Sequence, residues 1–512
     1  MQSTIRTLLA GAALTLSLPL FMSSTSAIST DAAEIQLQVA NLLFSDGRYI
    51  EAFDAYDHVA TSDDLRVRRR ALMGSVRSSL RLAEFARAGR DADALIKIAP
   101  RDAEAIALLG DSLWSLGLFD EAEQKYNDAL GIQSELPRAL HGLARALASR
   151  GRLEEALDQA QMALRYAPRD GEIHHTVGSI YERMGRFEEA ANAYGSYVNL
   201  LPNRDRSAQA SWSRAEIRFL KAFGRKTPFE MDEADAKTLY TVPFKIINEK
   251  VVVRAKVNNG PLMDFVLDTG SEQTVVTTET ARRLGVHRLA STLSAGVGDI
   301  GLRALDLGRL DSFEIGNLKI RNVPAIVKNP PLRGLPTRET ESFSPLSLGL
   351  SMIIDYGTQQ LIIGRELPSQ EADVELPLRL HRLAMVPGKV DGGPASFIID
   401  TGGQVISISL EAASELDRPS ARHIPLQVYG MGGWDRDAFL LPGVNLGFRQ
   451  IEYRNFSVVV LNLRAPSILL GFRLGGIVGH KFLSQYRVAI DLNRSVVRLK
   501  ARPGFPAPAP AN

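Results

Sequence analysis

Two short runs carry the residues best suited to chemistry. Phe265-Val266-Leu267-Asp268-Thr269-Gly270-Ser271 and Phe397-Ile398-Ile399-Asp400-Thr401-Gly402-Gly403 are nearly the same. In each, an apolar β-type run reads as a buried strand with an aspartate at its end. The likeness continues without a gap at an offset of 132, pairing Glu279 with Glu411, Ala281 with Ala413 and Leu284 with Leu416. This is an internal duplication, so one unit occurs twice and supplies one carboxyl each time. Two carboxyls brought to about 3 Å cannot both ionise, so one pKa falls and the other rises. Such a pair offers a base and an acid side by side, which is what is needed to deprotonate a water while protonating the group it attacks. An isolated Asp-Thr-Gly is usually an ordinary turn; the second copy in matched surroundings sets these two apart.

These residues resemble the aspartic proteases, above all the retropepsin-like domains, with two copies fused in one chain as in the two-lobed pepsin arrangement. The resemblance covers about 240 to 500. Each half of that family has a hydrophobic-hydrophobic-Asp-Thr-Gly strand, a Gly-rich flap and a later hydrophobic-hydrophobic-Gly element. The second half here has Asp400-Thr401-Gly402, Gly430-Met431-Gly432-Gly433 and Ile477-Val478-Gly479. The first half has Asp268-Thr269-Gly270 and Gly296-Val297-Gly298, and its third element is expected at Ser347-Leu348-Gly349. Because Gly349 stands much closer to Asp355 than Gly479 does to Asp491, a shortened or missing terminal helix is expected in the first half.

The resemblance implies hydrolysis of a polypeptide substrate by a water held between Asp268 and Asp400, without metal, cofactor or covalent intermediate. It also implies that Thr269 and Thr401 cross-bond the two loops, while Gly270 and Gly402 let backbone amides reach the carboxylates. Ser271 is placed to bond the outer oxygen of Asp268, and Gly403 has no hydroxyl for Asp400, so an asymmetric pair is expected. The flap glycines Gly296, Gly298, Gly430 and Gly432 are assigned to substrate binding. Trp434 beside the second flap either covers substrate or simply packs.

The elements that must position this site are legible from periodicity. Gly117-Leu118-Phe119-Asp120-Glu121-Ala122, Gly151-Arg152-Leu153-Glu154-Glu155-Ala156 and Gly185-Arg186-Phe187-Glu188-Glu189-Ala190 recur every 34 residues. Small residues recur upstream at Gly110, Ala144 and Gly178, and two degenerate units precede them, one around Gly47 and one with Ala83, Ala88 and Pro100. Small residues let paired helices approach closely and the glycine turns the chain between them. This resembles the tetratricopeptide repeat family. A helical solenoid is therefore expected over 31–222, whose concave groove would hold a protein partner. Two β lobes are expected over 240–364 and 380–500, with a Pro/Ala-rich disordered tail at 501–512.

At the N-terminus, Arg6 precedes an apolar stretch from Leu8 to Met22 and a small-residue Thr25-Ser26-Ala27. That pattern reads as a signal peptide over 1–27, cleaved near Ala27, with the mature protein soluble in a periplasmic or other extracytoplasmic compartment. Its apolar stretch, about 15 residues, is too short to span a bilayer, and no later segment is long enough, so no membrane span is expected after cleavage.

Other chemistries are set aside on stated grounds. With 60 Lys+Arg against 58 Asp+Glu there is no field to steer the chain onto nucleic acid, and the absence of cysteine removes thiol nucleophiles, thiolate metal sites and disulfides. Gly296-Val297-Gly298-Asp299-Ile300-Gly301 matches a dinucleotide-binding glycine pattern, but β-like spacing follows it where a helix is required. His174-His175 point about 100° apart on a helix and lack a third ligand, so no metal is expected. Arg66 and Arg68-Arg69-Arg70 read as a solvated helix face. The expected protein is an exported aspartic endopeptidase with a recruiting solenoid. The rival readings are a non-catalytic peptide-binding adaptor on the same folds, and a dyad formed between two chains.

Overall fold

The computed structural model describes residues 30–505, apart from 203–204, 206, 233, 235–236, 298–301, 329–340, 417–422 and 431–432. The signal-peptide segment 1–27 and the end of the tail, 506–512, lie outside the described residues.

Eleven helices come first: α1 (Thr30–Ser45), α2 (Tyr49–Val59), α3 (Leu65–Arg81), α4 (Phe85–Ile98), α5 (Ala103–Ser115), α6 (Phe119–Ile132), α7 (Pro137–Ser149), α8 (Leu153–Tyr166), α9 (Gly171–Arg183), α10 (Phe187–Leu200) and α11 (Ala208–Phe223). Their starts are written locally. Asp64, Asp102 and Asp170 each accept a hydrogen bond from a first-turn amide of α3, α5 and α9, satisfying donors that have no partner within the helix. Gly117, Gly151 and Gly185 turn the chain at φ 80°, 74° and 73°, and in the degenerate second unit Ala83 takes the same place at φ 56°. Packing within a pair is close because a tyrosine ring lies on a bare glycine. A Cβ at Gly110 would sit 2.6 Å from Tyr126, and one at Gly178 would sit 2.7 Å from Tyr194. The superhelix curls until distant turns touch across it, Arg81 Nη1 of α3 lying 2.7 Å from Glu172 Oε1 of α9.

The β region is two copies of one pattern. In each copy eight strands form a sheet, and the order of the first, met through Lys245–Ile247, Lys250–Val257 and Met263–Leu267, is reproduced strand for strand in the second, met through Arg379–Leu380, Ala384–Val390 and Gly393–Ile399. A further six-stranded sheet joins the halves, with Ser351–Asp355 antiparallel to Tyr486–Asp491 at its centre, Ile354 opposite Val488. One continuous core runs through both halves, from Phe265, Phe313 and Phe343 to Phe397, Phe448 and Phe482. The chain is thus an α-solenoid followed by a bilobal β structure.

Strand pairing corrects the reading of the first half's third element. Glu341–Phe343 runs parallel to Met263–Leu267, just as Gly476–Val478 runs parallel to Gly393–Ile399. Ser342-Phe343-Ser344 therefore takes the role expected of Ser347-Leu348-Gly349. Ser344 stands where Gly479 does. At Gly479 a Cβ would lie 2.7 Å from the Val405 carbonyl, which forces glycine there, whereas Ser344 is accommodated with its side chain buried. Leu346–Leu348 is a short 3₁₀ turn matching the four-residue helix His480–Leu483, and Gly349 ends that turn at φ 70°. The terminal helix of the first half is tightened, not lost.

The solenoid is docked onto the second half through a buried cation. The Arg379 side chain, 3% exposed, enters between α6 and α7 and donates to the Ala146 carbonyl, to Ser149 Oγ, to Glu123 Oε2 at 2.6 Å and to Asp120. Beside it the Arg473 amide donates to the Ser115 carbonyl at 2.7 Å, and His381 sits among Trp114, Phe119 and Phe472. A buried guanidinium with this partner set cannot be removed cheaply, although Arg150 would still pair with Asp120 and Glu123. Arg379→Ala should lower unfolding stability by about 3 kcal/mol, the low end for breaking a buried pair. Chemical denaturation of the full chain checks this, and a loss below about 0.5 kcal/mol would mean that the contact contributes no more than a surface pair.

Candidate active site

Each strand of the duplicated motif delivers its aspartate to the same place. The Asp268 amide donates to the Phe343 carbonyl at 2.9 Å, and the Asp400 amide donates to the Val478 carbonyl at 3.0 Å, so both loops leave their sheets at equivalent points. The loops then interlock. The Thr269 amide donates to Thr401 Oγ1 and the Thr401 amide donates to Thr269 Oγ1, both at 3.1 Å. Each threonine hydroxyl in turn donates across the boundary, Thr269 to the Ile399 carbonyl at 2.5 Å and Thr401 to the Leu267 carbonyl at 2.7 Å. Thr269 and Thr401 are 1% and 0% exposed, so these bonds have no competing water.

The glycines bring the carboxyls together. A Cβ at Gly270 would meet Asp400 Cγ at 2.6 Å, and one at Gly402 would meet Asp268 Oδ1 at 2.6 Å. Only a residue without a side chain leaves room there for the opposite carboxyl. Each carboxyl therefore lies against the opposite loop's glycine, at the meeting of the two halves of a single chain, close enough for each to shift the other's ionisation.

Their surroundings are unequal. Among the described residues Asp268 Oδ1 accepts from one amide, that of Gly270 at 3.1 Å, whereas Asp400 Oδ1 accepts from two, Gly402 at 2.8 Å and Gly403 at 2.9 Å. Backbone donors favour an ionised carboxylate, so the negative charge rests better on Asp400. Burial, and then the charge of Asp400, push Asp268 up to about 7. Burial also raises Asp400, against the two amides that hold it down. The asymmetry has a different origin from the expected one. The Ser271 hydroxyl donates to the Gln273 carbonyl at 2.8 Å, not to Asp268, and the Gly403 backbone supplies the extra bond on the other side.

Of the flap residues, Gly298 and Gly432 lie outside the described residues. Gly296 directly follows the first strand of an antiparallel hairpin in which Ala295 faces Leu302, so a strand follows the glycine cluster and not a dinucleotide-binding helix. Gly430 ends a strand paired with Gly433–Asp435, placing Trp434 opposite Tyr429. The two hairpin ends meet, since a Cβ at Gly430 would lie 2.4 Å from the Val297 carbonyl. The first hairpin also leans on the solenoid, where Leu289, Ala290 and Leu307 pack with Trp212, Phe219 and Phe223 of α11. His174 bonds the Pro168 carbonyl, and His175 packs among Tyr194, Tyr197 and Trp212.

Three further charged residues border the site. Lys250 is close enough to stabilise both carboxylates. Glu272, just beyond Ser271, pairs with Arg382 at 3.0 Å, and the Arg382 guanidinium lies 4.3 Å from the Trp212 ring centre. Lys250 and Arg382 are themselves related by the 132-residue offset, so extending the duplication upstream of the motif would have found them.

Residues 253–367 and 386–474 match the aspartyl protease family, and residues 113–180 and 171–203 match the tetratricopeptide repeat. Among curated proteins, the TPR repeat-containing thioredoxin TTL4 of Arabidopsis thaliana is 34% identical over 89 residues, which are 17% of this chain and 13% of that protein. The chain thus spans about an eighth of the length of the curated relative it matches. Among solved structures, a thermophilic TPR protein of Thermus thermophilus is 20% identical with a TM-score of 0.30, over 34% of this chain and 93% of that one. MamA from Desulfovibrio magneticus RS-1 is 18% identical with a TM-score of 0.25, over 34% of this chain and 97% of that one.

The interlock has a direct energetic test. Thr401→Val keeps the shape but leaves the Leu267 carbonyl and the Thr269 amide without their partner in a buried place. It should cost about 3 kcal/mol in denaturant unfolding, while Thr401→Ser should stay within about 1 kcal/mol of the parent. Equal stability for the two variants would contradict the assigned bonding.

Proposed function

We propose that this chain, which joins tetratricopeptide repeats to an aspartyl protease domain, is an endopeptidase in which Asp268 and Asp400 together activate a water. The observation that carries the reading is the pair of carboxyls held against each other by interlocked loops, with unequal numbers of amide donors. In the working state Asp400 is the carboxylate and Asp268 keeps the shared proton. Asp400 takes a proton from the water as it attacks the peptide carbonyl, and Asp268 donates its proton to the carbonyl oxygen, so the tetrahedral intermediate forms without a bare oxyanion. On collapse the carbon–nitrogen bond breaks, the proton held by Asp400 passes to the leaving nitrogen and Asp268 takes back a proton from a hydroxyl of the intermediate, so the products are a carboxylic acid and an amine and the pair again holds one proton.

The meeting hairpin ends around Val297 and Gly430 serve as flaps that open to admit a chain and close to shed water. In this reading the solenoid brings the polypeptide, or a protein partner that carries it, to the site. In this reading the N-terminal apolar segment is an export signal and the work is done outside the cytoplasm; among the described residues no helix is long and apolar enough to cross a membrane. A binding protein that never cleaves needs neither the paired carboxyls nor glycines bared to accommodate them, which favours the enzymatic reading over the adaptor.

The mechanism predicts that Asp268→Asn and Asp400→Asn each lower peptide cleavage by roughly 10³-fold or more, and that the double variant is little worse than either, because the two groups act as a unit. Single-turnover assays on folded variants check this; a fully active Asp400→Asn protein would refute it. The pH profile should be bell-shaped. Activity requires Asp268 protonated, so it falls as pH rises through about 7, the raised value for Asp268. On the acid side it falls as Asp400 takes up a proton and loses its role as base.

A further inference from the structure

The loop that follows Asp268 does not face open solvent. Ser271, Glu272 and Gln273 form part of the wall of a cavity of about 1360 Å³ that is enclosed jointly by solenoid helices and by the β lobes. A chain leaving the dyad past Glu272 therefore runs into the repeats. The other end of the site differs: neither Lys250 nor Gln404, which occupy the places of Arg382 and Glu272 in the duplicated half, lines this cavity.

Where the cavity meets the protease its chemistry is acidic and aromatic. Trp212 and Glu216 of α11 are 7% and 2% exposed, and both line the cavity. Trp212 Nε1 and Glu216 Oε1 have no hydrogen-bond partner among the described residues. Glu182 of α9 accepts from the Tyr194 hydroxyl at 2.8 Å. The cation nearest these groups, Arg382, is already committed to Glu272 and to the Trp212 ring, while Arg183 donates to the Ala148 carbonyl. Farther along the groove Arg138 and Arg145 are paired with Asp111. Burial raises both Glu182 and Glu216, with Glu272 adding to each and Glu182 adding to Glu216, the cost of crowding carboxyls in a shielded place. An ammonium or guanidinium supplies the missing charge, several donors and a partner for an aromatic face.

We propose that the solenoid provides a substrate subsite of its own: the cavity bordered by Trp212, Glu216, Glu182 and Glu272 receives a lysine or arginine side chain of the polypeptide substrate, on one side of the scissile bond only. The subsite rests on the peptidase reading for its meaning but not for its detection, because it binds whether or not the dyad cuts. The solenoid then sets the cleavage register as well as delivering the chain.

The test uses the full-length Asp400→Asn protein and fluorescent peptides in which one lysine is moved stepwise through positions on both sides of the central bond, with glutamine as the control. At one register on one side, lysine should lower Kd by roughly 10-fold against glutamine, in keeping with a charge-assisted contact in a shielded place. On the other side the ratio should stay near one. Glu216→Gln should remove most of the preference, and Glu216→Lys should turn it toward peptides carrying glutamate at that position. No lysine preference at any register overturns the subsite, as does a full preference retained in folded Glu216→Gln; if that variant does not fold, the lysine scan on its parent decides alone. Cleavage by the wild-type protein without register preference would sink the subsite and spare the peptidase. Lysine-dependent binding by a wild-type protein that cleaves no peptide would do the reverse.

Discussion

Two carboxyl groups pressed together out of water repel one another whenever both ionise, and the rest of the protease region is arranged to hold them there. The restraint is not applied to the aspartates directly. Thr269 and Thr401 exchange amide and hydroxyl bonds between the two halves and reach across to the Ile399 and Leu267 carbonyls, so the loops cannot separate without breaking four buried hydrogen bonds. Gly270 and Gly402 then remove the only atoms that would keep the carboxyls apart. Burial raises both carboxyls, the charge of Asp400 raises Asp268 further, and the unequal amide donors favour the charge on Asp400.

The same pseudo-symmetry that builds the pair is broken by what lies around it. The six-stranded sheet and the common core treat the halves alike. The solenoid does not. It is anchored on the second half by Arg379, it supports the first hairpin through α11, and it walls off the end of the site beside Glu272. Recruitment at a distance, as the repeats alone suggest, therefore understates the connection. The repeats share side-chain contacts with a hairpin and with the residues adjoining the aspartate loop, so the solenoid belongs to the site's surroundings and is not simply a tether. Trp212 joins these roles, packing under the first hairpin and stacking on Arg382.

What was legible in the chain was whatever it states twice or at a fixed period. The 132-residue duplication exposed both Asp-Thr-Gly loops because a strand end and its turn are coded by neighbouring residues. The 34-residue period exposed the solenoid because each repeat must bury the same face against its neighbour. The first half's third element escaped this reading. Its pattern was sought as a terminal glycine, whereas Ser344 fills the place and only parallel pairing with Met263–Leu267 identifies it. Glycine is obligatory at such a point only where another backbone approaches as closely as the Val405 carbonyl approaches Gly479. The role of Ser271 was misread for a related reason, since a hydroxyl bonds to whichever acceptor the loop turns toward it, and here that is the Gln273 carbonyl.

The amino-acid sequence by itself therefore determined the two architectures, their order, and the identity of the two aspartates with their threonines and glycines, all of which follow from local pattern and repetition. Tertiary structure alone decided how the α and β parts sit together: that Arg379 is buried between α6 and α7, that Val297 meets Gly430, and that Glu272 and Arg382 stand against Trp212. These contacts join residues far apart in the chain, between units that do not repeat one another. No periodicity records such a contact. It exists only because buried charge, aromatic area and hydrogen-bond demand on one surface found their complement on another when the chain closed up.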